Sequence, residues 1–213
     1  FSTYILGENR VDETEMVQYA KEGDLDAFNR LVLEYQDLAF NVAYRLMGDP
    51  AAAEDITQDA FISAYRKINS FKGGSFKAWL MRIVTNAGYD ELRKLKRRPT
   101  VALEPVTNED EEIESPVWLT DPGETPEHTI EREELNSAIQ NCLNDLDFEF
   151  KTIVILVDVQ GMNYSEVAQA VSKPLGTVKS RLARARIKMQ DCLRGFGELL
   201  PSSFRLESEG LNR

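Results

Sequence analysis

The 213-residue chain lacks several features that define whole classes of protein. No apolar run approaches the roughly 18 residues that a membrane-spanning helix needs. The opening residues, FSTYILGENR, lack a basic segment followed by an apolar core, so they do not predict a secretory signal. We therefore expect a cytoplasmic protein.

Cysteine and histidine are scarce. Two cysteines, Cys142 and Cys192, are too few for a disulfide framework. Each occupies an apolar position of a helical pattern, which favours the role of a small buried residue. The one histidine, His128, has no ligand partner at metal spacing, and capping or solvating a helix start is the better interpretation. With no P-loop and no nucleophile–base pair, the sequence predicts no enzyme, no metal and no cofactor.

Positive charge is outnumbered overall, yet it is concentrated in two places. The formal net charge is −11, and the span from Glu104 to Glu134 holds twelve acidic residues and one basic residue. By contrast, Arg66 to Arg98 holds ten basic and two acidic residues, and Lys173 to Arg194 holds seven basic and one acidic. Local charge decides what each part attracts, so two basic lobes flanking an acidic connector are compatible with nucleic-acid binding.

The apolar residues recur at helical spacing throughout the chain. In the first half the pattern predicts helices over Val11–Glu22, Leu25–Met47, Ala53–Ile68 and Phe76–Leu95. We therefore expect an all-α protein with two helical domains joined by a flexible acidic linker. The expected boundaries are 11–98 for lobe one, 99–125 for the linker, 126–194 for lobe two and 195–213 for a tail of unassigned role.

The segment from Ile68 to Arg98 carries the most informative pattern. A glycine-containing loop, FKGGS, leads into the fourth predicted helix. One face of that helix carries Leu80, Ile83, Val84 and Ala87, and another carries a polar stripe of Arg82, Asn86, Tyr89, Arg93 and Arg97, with Trp79 beside it. Cations hold phosphates, aromatic rings stack on bases and an amide reads a base edge, so the stripe suits an unstacked nucleic-acid strand. The alternative is a solvated helix face with an aromatic anchor in the core.

The third predicted helix has one apolar and one polar face. Its apolar positions are Ile56, Ala60, Phe61, Ala64 and Ile68, and its polar face carries Glu54, Asp55, Gln58, Asp59, Tyr65 and Arg66. Ile62 lies in the middle of that polar face. An aliphatic side chain ringed by polar groups indicates a protein contact, although a lone exposed isoleucine is also common.

Lobe two contains a helix-turn-helix pattern. Asn163 and Glu166 have the spacing of a capping box, and Ser172-Lys173-Pro174 separates a short helix from a longer basic one. On the longer helix the inward positions are Val178, Leu182, Ala185 and Met189. Small and hydroxyl groups near its start, followed by arginines, favour entry into a DNA major groove over packing against an acidic partner.

Three segments, AEDITQDAFISAYR, FKAWLMRIVTNAGYDELRKLKRR and GMNYSEVAQAVSKPLGTVKSRLARAR, resemble regions two and four of bacterial sigma factors. The resemblance is greatest to the extracytoplasmic-function (ECF) type. It implies a dissociable subunit of RNA polymerase that recognises −35 and −10 promoter elements and opens DNA. It also implies an anti-sigma partner. A stand-alone helix-turn-helix regulator with a separate interaction domain is the alternative.

The resemblance carries roles to individual positions. Polymerase-clamp contacts fall on Glu54, Asp55, Gln58, Asp59, Ile62 and Tyr65. Contacts to a melted −10 strand fall on Lys72, Gly73, Gly74, Ser75, Phe76, Trp79, Arg82, Asn86, Tyr89, Arg93 and Arg97. Contacts to duplex −35 DNA fall on Thr177, Lys179, Ser180, Arg181, Ala183 and Arg184. The acidic connector is either a solvated linker or, as the resemblance implies, a segment in the RNA channel of the polymerase whose acidic residues mimic an RNA backbone. Val117-Trp118-Leu119 within it is a candidate docking point.

Overall fold

The computed structural model describes residues 13–97 and 126–199, with the side chains of 126–131 excepted. Every regular element in these two ranges is helical, as predicted. Lobe one contains α1 (Glu13–Lys21), α2 (Leu25–Met47), α3 (Pro50–Lys67) and α4 (Phe76–Arg97). Lobe two contains α5 (Pro126–Asn144), α6 (Phe148–Val154), α7 (Tyr164–Ala170) and α8 (Leu175–Leu193). The predictions for the connector and for most of the tail fall outside the described residues.

Short polar side chains determine where the helices of lobe one begin. Asp24 precedes α2, and its Oδ1 accepts from the backbone N–H groups of Asp26 and Ala27 at 2.8 and 3.1 Å. Asp49 precedes α3 in the same way, accepting from Ala52 N at 2.9 Å. Such caps satisfy N–H groups that have no partner inside the helix.

The predicted start of α3 at Ala53 is three residues too late. Gly48 has φ 75° and ends α2, donating its N–H to Tyr44 O at 2.7 Å. The following Asp49 and Pro50 begin α3, with Asp49 as its N-cap and Pro50 as its first residue. Proline suits the first helical position, because its missing N–H would have no partner there.

The predicted helix-turn-helix of lobe two is present, with α7 and α8 as its two helices. The capping box is present, because Asn163 Oδ1 accepts from Glu166 N while Glu166 Oε2 accepts from Asn163 N. Asp147 precedes α6, but its side chain makes no cap hydrogen bond. Its carboxylate lies 3.6 Å from Lys188 Nζ instead. After α6 the chain continues as one π-helical turn, Ile155–Val159, before α7.

The two cysteines form a disulfide, whereas the sequence favoured the role of a small buried residue for each of them. Cys142 Sγ on α5 is bonded to Cys192 Sγ on α8, and the bond spans 50 positions of sequence. Both cysteines were correctly placed at apolar helical positions. Helical periodicity could not predict that α5 packs on α8, which brings the two cysteines together.

The buried side chains of the two lobes form one continuous core. It joins Leu46 and Leu80 of lobe one to Leu143, Ile155 and Val167 of lobe two. At this junction α7 packs on α4, while α5, α6 and the π-helical turn contact α2. The lobes are therefore in direct contact through folded helices, an arrangement that the sequence did not predict.

Candidate nucleic-acid and protein interfaces

The glycine loop before α4 has the backbone conformation that its sequence favours. Gly73 and Gly74 both have positive φ values, 98° and 91°, in the left-handed region that side chains disfavour. No heavy atom lies within 4 Å of a Cβ built at either position, so an approaching ligand would meet open space. Ser75 closes the loop, and its Oγ accepts from Ala78 N at 3.1 Å, which caps α4.

An aromatic cluster supports this loop from behind. The Phe76 ring lies 5.7 Å from Phe71, 5.5 Å from Trp79 and 5.6 Å from Tyr35, measured between centroids. Only 1% of Phe76 is exposed, so the direct strand contact predicted for it is not available at the surface. Phe76 instead helps to hold Trp79, which is half-buried at the edge of the cluster.

A cleft of about 480 Å³ lies between the loop and α4. It is lined by polar, basic and aromatic groups: Lys67, Ser70, Phe71, Lys72, Gly73, Ser75, Trp79, Arg82, Ile83, Asn86 and Gln169. Most of the loop and early-stripe positions predicted to contact a strand therefore face one cavity. Gln169 was not predicted, because it belongs to α7 of lobe two.

The stripe on α4 lies at the surface as predicted. Arg82, Asn86, Tyr89, Arg93 and Arg97 are all exposed, while Leu80, Met81, Val84 and Thr85 are buried. The buried face is therefore rotated slightly from the predicted one, since Ile83 and Ala87 are only half-buried. Tyr89 packs between Arg93, whose Cζ lies 5.8 Å from the ring, and Phe148 of lobe two at 5.2 Å.

The polar face of α3 forms a separate surface of lobe one. Its predicted contact positions Glu54, Asp55, Gln58, Asp59, Ile62 and Tyr65 are all exposed. Ile62 is 43% exposed and Tyr65 is 39% exposed, and the Tyr65 ring packs edge-on against Phe28 at 5.0 Å. An anchored aromatic and an aliphatic side chain among carboxylates suit a basic or amphipathic protein partner.

The second helix of the helix-turn-helix, α8, separates its predicted positions into two groups. Lys179, Ser180, Ala183 and Arg184 are exposed, and Thr177 is half-buried. Arg181 differs from them, because its Nη2 lies 2.7 Å from Glu149 Oε2 on α6. That ion pair ties α8 to α6, so Arg181 contributes to the shape of lobe two as well as to its basic surface.

Two further side chains are held in defined positions on this lobe. Lys179 Nζ lies 6.0 Å from the centre of the Tyr164 ring. Arg186 Nε donates to Asp158 at 3.0 Å, and this hydrogen bond holds the pKa of the Arg186 guanidinium above its ordinary value. Both contacts restrain long side chains, so these side chains would lose less conformational entropy if a ligand bound there.

Lys151 is the functional candidate that sequence reasoning missed. It stands in the apolar run FKTIVIL, which begins in α6 and continues into the π-helical turn, and it is only 6% exposed. Its Nζ donates to Asn144 Oδ1 and, across the junction between lobes, to the backbone oxygen of Leu46, both at 2.7 Å. Burial lowers the pKa of Lys151 to about 8. A lysine at a position where periodicity demands an apolar residue was the available signal.

Neither a metal centre nor a membrane helix is found in the two described ranges. No group of three or more histidine, cysteine or carboxylate side chains there could hold a metal ion. Likewise, none of the described helices is both long and apolar enough to cross a bilayer.

Comparison with known proteins places both lobes in one family. The family model for sigma-70 region 2 matches residues 31–98, and the model for sigma-70 region 4 matches residues 136–189. RNA polymerase sigma-H factor of Pseudomonas aeruginosa is 34% identical over 175 residues, which cover 82% of this chain and 90% of that protein. ECF RNA polymerase sigma factor SigW of Bacillus subtilis is 33% identical over 179 residues, covering 84% and 95%.

A solved structure extends the likeness to three dimensions. The sigma factor RpoE of Bartonella quintana, in complex with the anti-sigma factor NepR, matches with a TM-score of 0.58 and 25% identity. The match covers 80% of this chain and 98% of RpoE. With matches to both conserved regions and relatives of this identity and coverage, the chain belongs to the ECF sigma factors of bacterial RNA polymerase.

Proposed function

We propose that this sigma factor uses three separate surfaces to direct transcription initiation. The α3 face with Ile62 docks on the clamp of core RNA polymerase. The loop cleft and the α4 stripe hold the melted non-template −10 strand. The exposed positions of α8 enter the major groove of −35 DNA. The chemistry of RNA synthesis belongs to the polymerase, so the chain needs no catalytic residue, and it acts in the cytoplasm.

The observation that carries this proposal is the continuity between the cleft and the stripe. Arg82 and Asn86 line the cleft and also begin the exposed row along α4, and the half-buried Trp79 lines the cleft beside them. A base that leaves the stack would find an aromatic edge, an amide and open glycine backbone in one place. The arginines further along α4 would hold the adjoining phosphates. A stand-alone regulator has no use for this surface, so the alternative is not favoured.

The proposal of an anti-sigma partner rests on the similarity of this chain to a sigma factor solved with such a partner. RpoE of Bartonella quintana was solved with the anti-sigma factor NepR. We infer that a protein of that class also holds this chain inactive.

Alanine substitution at Trp79 and at Asn86 tests the role of the cleft. With core polymerase and a cognate promoter, each change should reduce strand opening by about tenfold or more, since a stacking or bidentate contact is worth about 1–3 kcal/mol. Opening would be measured by permanganate reactivity of −10 thymines. Binding to core polymerase, measured separately, should be unchanged.

Lys94→Ala is the matched control. Lys94 is exposed on the same helix but lies off the stripe and pairs with Glu91 at 2.9 Å. It should open promoters as well as the original protein does. Normal opening by both cleft variants would remove the assignment of the −10 strand to this surface.

A further inference from the structure

We propose that Glu149 is a positioning residue for −35 recognition, because its carboxylate holds two cations of the helix-turn-helix away from DNA phosphates. The consequence is a lower affinity for DNA of unrelated sequence, so that the exposed side chains of α8 decide where the protein binds. This inference deepens the proposed function, since it rests on α8 being the helix that enters −35 DNA.

Glu149 contacts both the turn and the second helix of the motif. Its Oε2 lies 2.7 Å from Arg181 Nη2 on α8, and its Oε1 lies 3.9 Å from Lys173 Nζ in the turn between α7 and α8. One carboxylate therefore serves two cations that flank the start of α8. Glu149 belongs to the first turn of α6, which packs on α8, so it reaches them from a helix outside the motif.

The cations of α8 fall into two groups according to their acidic partners. Arg186 pairs with Asp158, as Arg181 does with Glu149. In contrast, Lys179 and Arg184 are exposed, and neither makes an ion pair with a carboxylate in the ranges 13–97 and 126–199. The positive charge predicted to meet the groove is thus separate from the charge that carboxylates hold.

This division affects the part of binding that does not depend on sequence. Each cation that neutralises a phosphate releases counterions and adds about 0.9 to the slope of log affinity against log salt concentration. Such contacts fix position but do not read bases. A phosphate that approaches Arg181 or Lys173 has to displace Glu149 and is repelled by the same carboxylate. Glu149 therefore suppresses binding to DNA of any sequence.

The exposure of the Glu149 pair favours this role over one in stability. The Glu149 side chain is 53% exposed and that of Arg181 is 25% exposed, and ion pairs at the surface contribute little to folding. Glutamine keeps the length of the side chain and one acceptor oxygen but removes the charge. Glu149→Gln should therefore keep the fold, which far-UV circular dichroism would check.

The salt dependence of DNA binding tests the proposal in the full-length protein. The original protein and Glu149→Gln are compared by fluorescence anisotropy on a labelled duplex of unrelated sequence, between about 50 and 200 mM salt. Two additional phosphate contacts would make the loss of affinity over this range about tenfold greater in the variant. On a cognate −35 duplex the effect should be smaller, since base contacts fix the register of the protein.

Two further variants identify the source of the effect. Asp145→Asn is the matched control, because it removes the same charge from an exposed residue near α6 that pairs with neither Lys173 nor Arg181. It should leave the salt dependence unchanged. Arg181→Met should reduce the slope more in the Glu149→Gln background than in the original protein, because only there is the guanidinium released to a phosphate.

Three outcomes would contradict a positioning role for Glu149. The first is a salt dependence of Glu149→Gln equal to that of the original protein. The second is an equal change in Asp145→Asn, which would make the effect one of net charge. The third is weaker binding of both duplexes without a steeper slope, which would show that Glu149 only supports the fold.

A separate variant tests the function on which this proposal rests. Replacing Lys179 and Arg184 together by alanine should weaken binding to the cognate duplex. If this double variant binds that duplex as tightly as the original protein, the assignment of α8 to −35 DNA fails, whatever the result for Glu149. If it binds more weakly while Glu149→Gln behaves like the original protein, only the role of Glu149 is excluded.

Discussion

At the scale of single residues, the most consequential side chain is one that binds no DNA. Lys151 occupies a position where the sequence pattern predicts an apolar residue. Its ammonium group donates a hydrogen bond to the Leu46 carbonyl of the other lobe. Phe76 is the reverse case, because a residue predicted to touch DNA is buried behind the loop. For both residues the local pattern predicts the helix correctly. The role of each side chain depends on residues that are distant in sequence but adjacent in the fold.

The lowered pKa of Lys151 predicts a dependence of stability on pH. The pKa is about 8 in the folded protein, whereas an unfolded lysine titrates at about 10.4. Between these values the unfolded chain holds a proton that the folded chain lacks, so the free energy of unfolding from this group rises with pH. Below about pH 8 both states are protonated, and the contribution is constant at its lowest value.

Urea unfolding between pH 7 and 10.5, with Lys151→Met as the comparison, measures this effect. The difference in unfolding free energy between the two proteins should shift in favour of the original protein as pH rises. Other titrating groups cancel in the difference. A difference that stays flat across the range would contradict the burial of Lys151.

At the scale of helices, much of the fold follows from the sequence. Asp24, Gly48 and the pair Asn163 and Glu166 fix the ends of helices by local hydrogen bonds, and local rules identify them. The exposed stripe on α4 follows from spacing alone. The sequence did not reveal that α5 meets α8 through Cys142 and Cys192, since pairing between distant helices depends on packing and not on period.

The disulfide between α5 and α8 should stabilise lobe two. Closing a loop of about 50 residues restricts the unfolded chain, which corresponds to about 4 kcal/mol in the chain-entropy model. Adding dithiothreitol should therefore lower the urea midpoint of the original protein. The double variant Cys142→Ser and Cys192→Ser should unfold at that lower midpoint with or without reductant. A reductant effect of equal size in the double variant would exclude the disulfide as its source.

At the scale of the whole molecule, different surfaces suit different partners. The acidic face of α3 and the basic stripe of α4 belong to the same lobe, yet the first suits a protein partner and the second suits a nucleic-acid strand. The family model covers both helices, and periodicity identified both surfaces. The contact of α7 with α4 could not be predicted, because it joins residues about 90 positions apart through a hydrogen bond between Ser75 and Glu166.

Replacing Ile62 by aspartate tests the division of surfaces. The change puts a charge into the centre of the proposed clamp contact, so affinity for core polymerase should fall by about tenfold or more. Binding of free protein to a −10 single strand should not change. Ile187→Asp is the control, because Ile187 is an even more exposed isoleucine, at 58%, on α8. Equal loss of polymerase affinity in both variants would argue against a specific contact at Ile62.

The capping of α2 by Lys151 and Gln140 has a consequence for the newborn chain. A ribosome releases lobe one first, and translation at about 5–20 residues per second leaves roughly ten seconds before lobe two has emerged. During that interval the carbonyls of Leu46 and Arg45 are hydrated, and the cleft beside Trp79 lacks Gln169 of α7 in its wall. The end of α2 would thus remain open to water until Gln140 and Lys151 have been made and folded against it.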